Sequence, residues 1–146
     1  MTEQTIQDKL QDIQNDWSDK VRGLNEKMKD LAGLDSLLNV VYSERQNIVE
    51  YYSNLMVTMS KLTRDYTRKY AEYYNKLKLG EKGIKYTNES ALNTQIEAQL
   101  TEDKEPIQLL NAHIEFVKDT IKNIDGIIFG INNKIKVYEL MNGIKH

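Results

Sequence analysis

The sequence predicts an all-α protein built from long amphipathic helices, with an isoleucine-rich oligomerisation helix at its C-terminal end. One proline and seven glycines among 146 residues leave few of the turns that a β-sandwich or a β-barrel needs. Apolar residues recur every three or four positions over long stretches, which is the repeat of an α-helix. In the last of these stretches the apolar residues are mostly isoleucine, and their spacing is that of a coiled coil.

The first predicted helix covers about residues 4–31. Its apolar positions follow one another in steps of three and four residues and form one face, whereas the other side chains are mostly polar. These apolar positions are Ile6, Leu10, Ile13, Trp17, Val21, Leu24, Met28 and Leu31. We expect Gly33 to end this helix as a C-cap, and Asp35 or Ser36 to begin the next helix as an N-cap.

A second helix is predicted over about residues 36–78, without an internal glycine or proline. Its apolar stripe consists of Ile48, Tyr52, Leu55, Met59, Leu62, Tyr66, Tyr70, Tyr73 and Leu77. Residues 79–103 lack strong periodicity, and we interpret them as a connector, although Thr94 and Glu97 have the spacing of a capping box that could begin a short helix. A third helix is expected to start at Glu105, because the proline that follows it is tolerated in a first turn.

The third predicted helix carries an unbroken heptad pattern from Ile107 to Tyr138, more than four repeats long. At about 1.5 Å per residue this stretch would be roughly 45 Å long. Isoleucine at both the a and the d positions favours three or more strands over two, so we expect the helix, residues 105–142, to assemble copies of the chain into a homo-oligomer. The side chains predicted to carry the assembly are Ile114, Val117, Ile121, Ile124, Ile128, Ile131 and Ile135. The sequence does not fix the number of subunits.

Several classes of protein are not expected. The sequence contains no cysteine, no N-terminal signal sequence and no apolar stretch approaching about 18 residues, so we expect a soluble intracellular protein without membrane contact. Of the two histidines, His113 is expected at the surface or the edge of the third helix, and His146 is terminal. The sequence offers no phosphate-binding loop, metal-ligand spacing or catalytic triad, so we expect neither an enzyme nor a metal or cofactor.

The net charge of −2 hides a strongly basic segment in the middle of the chain. Residues 61–85 carry eight basic and three acidic side chains, whereas the stretches before and after them are acidic overall. We therefore divide the chain into an N-terminal helix, residues 1–34, and a helical core, residues 35–146, that contains this basic segment and the oligomerisation helix.

The basic segment is also rich in tyrosine, a combination that is typical of a surface for single-stranded nucleic acid. Basic side chains neutralise phosphates, and aromatic rings stack on unpaired bases. The helical repeat is expected to place the first three cations on one face, next to the tyrosine stripe. The DNA-binding candidates are Lys61, Arg64, Arg68, Lys69, Tyr70, Tyr74, Lys76 and Lys78. Tyrosines at this spacing also pack in cores, so Tyr66 and Tyr70 are equally compatible with burial, and Tyr74, which leaves the stripe, is the better stacking candidate.

Three passages of the chain resemble the UvsY-type recombination mediator proteins of T4-like tailed phages. The opening passage consists of Lys29-Asp30-Leu31, Asp35-Ser36 and Tyr42-Ser43-Glu44. The second, Arg68-Lys69-Tyr70-Ala71-Glu72-Tyr73-Tyr74, is similar to the family's basic-x-basic-x-acidic-Tyr-Tyr motif. The third consists of Asp103-Lys104-Glu105, the isoleucine-rich helix, Ile135-Lys136 and Asn142-Gly143. Together the passages extend over about residues 29–143.

The resemblance implies a non-enzymatic, all-helical accessory protein of homologous recombination and repair that acts in the cytoplasm of a phage-infected host. Such proteins bind single-stranded DNA as ring-like oligomers, help to displace the single-strand-binding protein and load the phage recombinase. It further implies DNA contact through the basic motif and oligomerisation through the C-terminal region. Arg68 corresponds to the first basic residue of the motif. The second basic position is Tyr70, with Lys69 beside it, and the glycine expected just after the motif is Lys76.

Two other classes of protein stay open at this point. In a coiled-coil assembly scaffold, the basic segment would form ion pairs with the acidic N-terminal helix instead of binding nucleic acid. A small adaptor or chaperone would be a monomer or a dimer with an unfilled groove for a partner helix. An assembly of six or seven subunits would favour the mediator, whereas a monomer would remove its basis.

Overall fold

The computed structural model describes residues 5–79 and 88–143, and in those residues it confirms an all-α fold with long helices. The chain order is α1 (Ile6–Lys27), a short 3-10 helix (Leu31–Gly33), α2 (Leu34–Lys78), α3 (Glu89–Gln99) and α4 (Thr101–Gly143). No strand occurs in the described ranges. The two longest helices, α2 with 45 residues and α4 with 43, are the ones that carry the basic segment and the isoleucine stripe.

Helix α1 ends four residues before the predicted position. Its first turn is capped by Thr5, whose hydroxyl accepts from the backbone N–H of Asp8 at 3.1 Å. After Met28 the chain turns, and the carboxylate of Asp30 accepts from the N–H of Ala32 at 3.0 Å to start the 3-10 helix. Gly33 lies inside that 3-10 helix, so the prediction that it caps α1 was wrong. The local hydrogen bond of Asp30 ends the helix earlier than the apolar periodicity indicated.

Most of the predicted connector, residues 79–103, is also helical. Asn88 caps α3 by accepting from the N–H of Ala91 at 2.7 Å, and Leu92 and Ile96 are buried on one side of the helix. Two buried residues are too few to reveal a period, which is why the sequence pattern missed α3. Residues 80–87, where the helical pattern was expected to break, lie outside the described residues.

Helix α4 begins at Thr101 instead of Glu105, so Pro106 is its sixth residue. The N–H that proline lacks would have bonded the carbonyl of Glu102, which lies in an exposed first turn where water can satisfy it. The proline therefore tolerates a helix start earlier than the one predicted from it.

The chain divides into two compact units, Met1–Asn54 with His113–His146 and Leu55–Ala112. We call them the first and the second unit. The division falls inside α2 and inside α4, and it differs from the predicted division between residues 34 and 35. Sequence patterns alone do not reveal a division inside two continuous helices, because it depends on contacts between residues that are distant in sequence.

The first unit packs α1 and the early part of α2 against the later part of α4. Its buried apolar side chains come from all three helices, and they include Trp17, Leu24, Leu37, Val41, Ile48, Ile114, Val117, Ile124, Ile127 and Ile131. Polar contacts join the same helices at the surface. Lys20 pairs with Glu44 at 3.4 Å, and Arg45 pairs with Asp125 at 2.6 Å.

The second unit has a smaller core. One cluster of its buried residues consists of Leu77 on α2, Leu92 and Ile96 on α3, and Leu100 between α3 and α4, and Leu55 and Leu110 are buried as well. Four half-buried tyrosines of α2 pack against this cluster: Tyr66, Tyr70, Tyr73 and Tyr74. One side of α2 in this unit is therefore committed to the core.

Candidate nucleic-acid interface

Four of the seven residues predicted to carry oligomerisation are buried within a single chain. They are Ile114, Val117, Ile124 and Ile131, with at most 5% of their surface exposed. Ile121, Ile128 and Ile135 are half-buried, and they are the members of the stripe that keep surface for another chain. Ile127, which was not part of the predicted heptad, is buried instead. The buried side of α4 thus combines four residues of the predicted stripe with His113, Thr120 and Ile127, and it packs against α1 and α2.

The apolar stripe of α4 stays open at its C-terminal end. The ammonium of Lys134 donates to the carbonyl of Met28 at 2.9 Å, at the point where α1 stops. Beyond it, Val137, Tyr138 and Met141 are each more than half exposed, and Leu31 lies beside them in a shallow depression. We call this surface the open end of α4. Because α1 ends before this surface, the described residues of the chain leave the stripe there largely exposed.

Gly130 marks a close approach within the first unit. A Cβ atom at this position would lie 2.8 Å from the Cε of Met28, whereas a Cβ at Gly126 would meet nothing within 4 Å. A side chain at this position would therefore require the flexible end of Met28 to shift.

His113 is buried, contrary to the prediction that it lies at the surface or the edge. The side-chain amide of Gln14 donates to its Nδ1 at 3.0 Å, so the ring proton is on Nε2, which lies 2.6 Å from the hydroxyl of Tyr51. Burial lowers the pKa of His113 and raises the pKa of Tyr51, because both charged forms would lose hydration. The neutral imidazole joins α1, α2 and α4 in the first unit.

Three of the predicted DNA-binding cations project from the side of α2 that the second unit leaves free. We call Lys61, Arg64 and Arg68 the cationic row, since they follow one another at steps of three and four residues and are all exposed. Arg68 lies 3.4 Å from the carboxylate of Asp65, and both side chains are more than half exposed. In residues 5–79 and 88–143, Lys61 and Arg64 make no ion pair.

The other three predicted cations have partners in the second unit. Lys69 donates to Asp103 of α4 at 2.5 Å, and this hydrogen bond raises the pKa of the lysine. Lys78 donates to the hydroxyl of Tyr74 at 3.2 Å, which raises its pKa in the same way. The ammonium of Lys76 lies 6.0 Å from the ring centre of Tyr73. These lysines stabilise the packing of α2 and are less available than the cationic row.

The tyrosines predicted to stack on bases use their rings and hydroxyls inside the chain. Tyr70 donates to the side-chain carbonyl of Asn93 at 2.7 Å, and burial raises the pKa of its hydroxyl. Tyr74, the better stacking candidate from its spacing, donates to the carboxylate of Glu89 at 2.9 Å, and the ammonium of Lys78 lies 5.2 Å from its ring centre. Both rings pack against the leucine and isoleucine cluster of the second unit.

The sequence predicted that the cationic row lies next to the tyrosine stripe. In the structure the row and the stripe lie on different sides of α2. At 100° per residue, Tyr66, Tyr70 and Tyr73 lie roughly 120° to 180° around α2 from Arg64. The shallow surface beside Arg64 and Arg68 is formed by small and hydroxyl-bearing side chains together with two methionines: Ser60, Thr63, Thr67, Ala71, Met56 and Met59. Sequence reasoning missed these neighbours, although their three- and four-residue spacing is visible. The remaining cations of the basic segment, Lys82 and Lys85, and Tyr86 directly after them lie outside the described residues.

Nothing in the described ranges forms a metal site or a bilayer-spanning helix. No group of three or more histidine and carboxylate side chains there could hold a metal ion. No helix in the same ranges is both long and apolar enough to cross a membrane. Comparison with protein-family models, with curated proteins and with solved structures finds no match to this chain.

Proposed function

We propose that this protein is a non-enzymatic recombination mediator, a homo-oligomer that binds single-stranded DNA and promotes loading of a recombinase onto DNA covered by single-strand-binding protein. The observation that carries the proposal is the cationic row. Like charges at steps of three and four residues destabilise a helix by roughly 0.2–0.5 kcal/mol per pair. Among the described residues, the ion pair that offsets this repulsion is the exposed one between Arg68 and Asp65. For a chain of net charge −2 that keeps such a row on a free helix face, binding of a polyanion is the better explanation.

Three cations are a small site, and assembly would make it effective. If several copies present the row to one strand, the later contacts become intramolecular and total affinity exceeds that of any one site. The open end of α4 and the half-buried isoleucines 121, 128 and 135 supply apolar surface for that assembly. Exposed apolar surface of this kind favours association with another protein surface.

The proposed role as a mediator between a recombinase and a single-strand-binding protein has its own support. The passage Arg68–Tyr74 resembles the motif of the UvsY-type family. Positively charged side chains that hold DNA weakly and repeatedly suit a protein that must share the strand with two other proteins. A direct test adds the protein to a recombinase on DNA already covered by single-strand-binding protein and measures DNA-dependent ATP hydrolysis. The proposal requires stimulation there and little or none on naked DNA.

DNA binding itself is tested by Arg64→Ala with Arg68→Ala. Removing two of three cations should weaken binding of a fluorescent single-stranded oligonucleotide more than tenfold at low salt. The dependence of log K on log salt should also become shallower by about 0.7 for each phosphate that the variant no longer neutralises.

The matched control is Arg22→Ala with Lys29→Ala. Both side chains are 73% exposed on the first unit and pair with a carboxylate three residues earlier, as Arg68 does. The net charge changes by the same amount, so an equal weakening in the control would show a general charge effect and contradict a site on α2.

One observation favours the alternative, a coiled-coil assembly scaffold without nucleic-acid binding. The acidic partners of Lys69 and Lys78 are Asp103 and Glu89, so part of the basic charge is neutralised within the second unit. These partners belong to α4 and α3 and not to α1, which the scaffold hypothesis named as the source of acidic charge. A native assembly that binds no oligonucleotide at low salt would favour the scaffold.

A further inference from the structure

The cationic row and the tyrosines of α2 face different surroundings, and this separation determines how a strand could be held. Three observations bear on it: where the rings are, what accompanies the cations, and how long the row is. The inference drawn from them rests on the proposed function, because it concerns the same surface.

The first observation is that the tyrosine rings are half-buried against the core of the second unit. Tyr66, Tyr70, Tyr73 and Tyr74 pack against the buried cluster of the second unit. The rings of Tyr66 and Tyr70 also lie 6.3 Å apart at a tilt of 46°, which leaves no parallel slot between them for a base. The part of each ring that packs against the core is not available for stacking on a base.

The second observation is that hydroxyl groups able to bind phosphate oxygens accompany the cations, on a surface that also contains the apolar side chains of Met56 and Met59. Ser60, Thr63 and Thr67 are exposed beside Arg64 and Arg68. Hydroxyl groups and guanidinium groups donate hydrogen bonds to phosphate and sugar oxygens, contacts that carry no base identity. From Leu55 to Lys78 on α2, no aromatic ring other than the four core tyrosines is present to receive a base.

The third observation is the length of the row. Lys61 and Arg68 are seven residues apart, about 10 Å along the helix axis. One subunit therefore spans only a few phosphates, and the salt dependence expected from three contacts is a slope of about −2.

We propose that the cationic row binds single-stranded nucleic acid through its sugar-phosphate backbone alone and leaves the bases unstacked by the protein and free to pair. The ligand class is a flexible polyphosphate strand, without preference for base sequence. A strand held in this way remains readable by a second protein or by a complementary strand while it is still bound.

The experiment compares three probes of equal length with the intact protein by fluorescence anisotropy: oligothymidylate, an abasic strand with the same phosphate backbone, and an uncharged methylphosphonate oligothymidylate. Base stacking contributes on the order of tenfold to a hundredfold per stacked base. We expect the abasic strand to bind within about threefold of oligothymidylate and the uncharged strand not to bind.

The outcomes are distinguishable. Binding of oligothymidylate together with a more than tenfold weaker affinity for the abasic strand overturns the backbone-only inference and leaves the proposed function standing. Failure of all three probes at low salt overturns both. Binding of the uncharged strand shows that bases or sugars are recognised, which also overturns the inference.

A second measurement uses Tyr74→Leu, which keeps apolar bulk against the cluster but removes the aromatic ring. We expect its affinity for oligothymidylate to change less than twofold, with the helical circular dichroism signal retained as the check on folding. A folded variant that binds more than tenfold more weakly would show that Tyr74 stacks on a base.

Discussion

The isoleucine stripe of α4 and the cationic row of α2 repeat with the same three- and four-residue steps, yet the fold closes the first and leaves the second in water. Ile124 and Ile131 are fully buried within one chain, whereas Lys61, Arg64 and Arg68 are exposed. An apolar stripe must be covered, but its spacing does not say by which chain. A helix of the same chain is present at high effective concentration and covers it first.

A row of charged residues predicts an exposed surface more reliably than apolar spacing predicts a subunit interface. Burying an unpaired ammonium or guanidinium group is so costly that a row of cations stays in contact with water. The row therefore identifies a free surface directly, and the stripe identifies only the need for a partner. Four predictions test this contrast, beginning with the largest expected effect.

The closed stripe is tested most strongly by Ile124→Ala. Deleting a fully buried isoleucine should lower the free energy of unfolding by about 2–5 kcal/mol, through reduced burial and a cavity. Because the contacts lie within one chain, the destabilisation should be the same when urea denaturation is repeated at a tenfold lower protein concentration.

The control for that measurement is Val137→Ala, at a site 59% exposed at the open end of α4. Its effect on unfolding of the separated chain should stay within about 0.5 kcal/mol. If the destabilisation by Ile124→Ala instead grew on dilution, the stripe would be closed between subunits and the contrast with the cationic row would disappear.

The sequence predicts features that depend on local spacing and misses features that depend on contacts between distant residues. The long helices α2 and α4 could be predicted because each carries many turns of regular spacing, and that prediction is confirmed. Helix α3 could not be predicted, because its buried residues Leu92 and Ile96 pack against side chains of α2 that are distant in sequence. His113 was misplaced for a related reason, since its partners Gln14 and Tyr51 lie 99 and 62 residues away in sequence.

In the candidate site, sequence reasoning found the cations and misjudged their neighbours. Basic residues 61, 64 and 68 share a face by spacing alone. Whether Lys69 is free depends on Asp103, which is 34 residues away, and whether Tyr74 is free depends on Glu89, which is 15 residues away. The commitment of a side chain to a tertiary partner is information that a helical wheel does not contain.

The open end of α4 is the apolar surface through which we expect the proposed homo-oligomer to assemble. Replacing Val137 and Met141 together by serine removes apolar surface that is exposed in the single chain, at 59% and 64%. Burial of such side chains contributes roughly 1.5–3 kcal/mol each, so the concentration needed for half-assembly should rise more than tenfold. Native mass spectrometry or sedimentation over a dilution series measures it.

Lys136→Ser provides the control, since this residue lies on a different side of the same turn and is exposed. Its assembly should match that of the unchanged protein. Unaltered assembly of the Val137/Met141 variant would place the contact elsewhere and leave the open end without a role.

The buried imidazole of His113, on the same helix as the isoleucine stripe, predicts that the stability of the fold depends on pH. Burial depresses the pKa of His113 below its ordinary value of 6.5 in the folded chain. Below pH 6.5 the unfolded chain therefore binds a proton that the folded chain does not, and stability falls as pH decreases, by up to about 1.4 kcal/mol per pH unit for one proton. Above that pH the contribution is constant.

His113→Gln separates this contribution from that of the carboxylates. The variant should be less stable near neutral pH, and its free energy of unfolding should fall less steeply than that of the unchanged protein between pH 6.5 and the folded pKa. Parallel curves for the two proteins, measured by urea denaturation across this range, would mean that His113 is protonated as readily in the folded chain as in the unfolded one.

A substitution beside the cationic row is expected to strengthen oligonucleotide binding by a small factor. Asp65 lies 3.4 Å from Arg68 and is the carboxylate that competes with phosphate for it. Since an exposed ion pair contributes about 0.2–1 kcal/mol, Asp65→Asn should tighten oligonucleotide binding about two- to fivefold at low salt, and the gain should shrink as salt screens the charges. Asp19→Asn, which breaks the equivalent Arg22 pair on α1, is the matched control and should leave affinity unchanged. Equal gains in both variants would indicate a response to net charge. A gain in Asp65→Asn alone requires the strand to pass along this face of α2, because removal of the Asp65 carboxylate frees a cation that the strand can reach there.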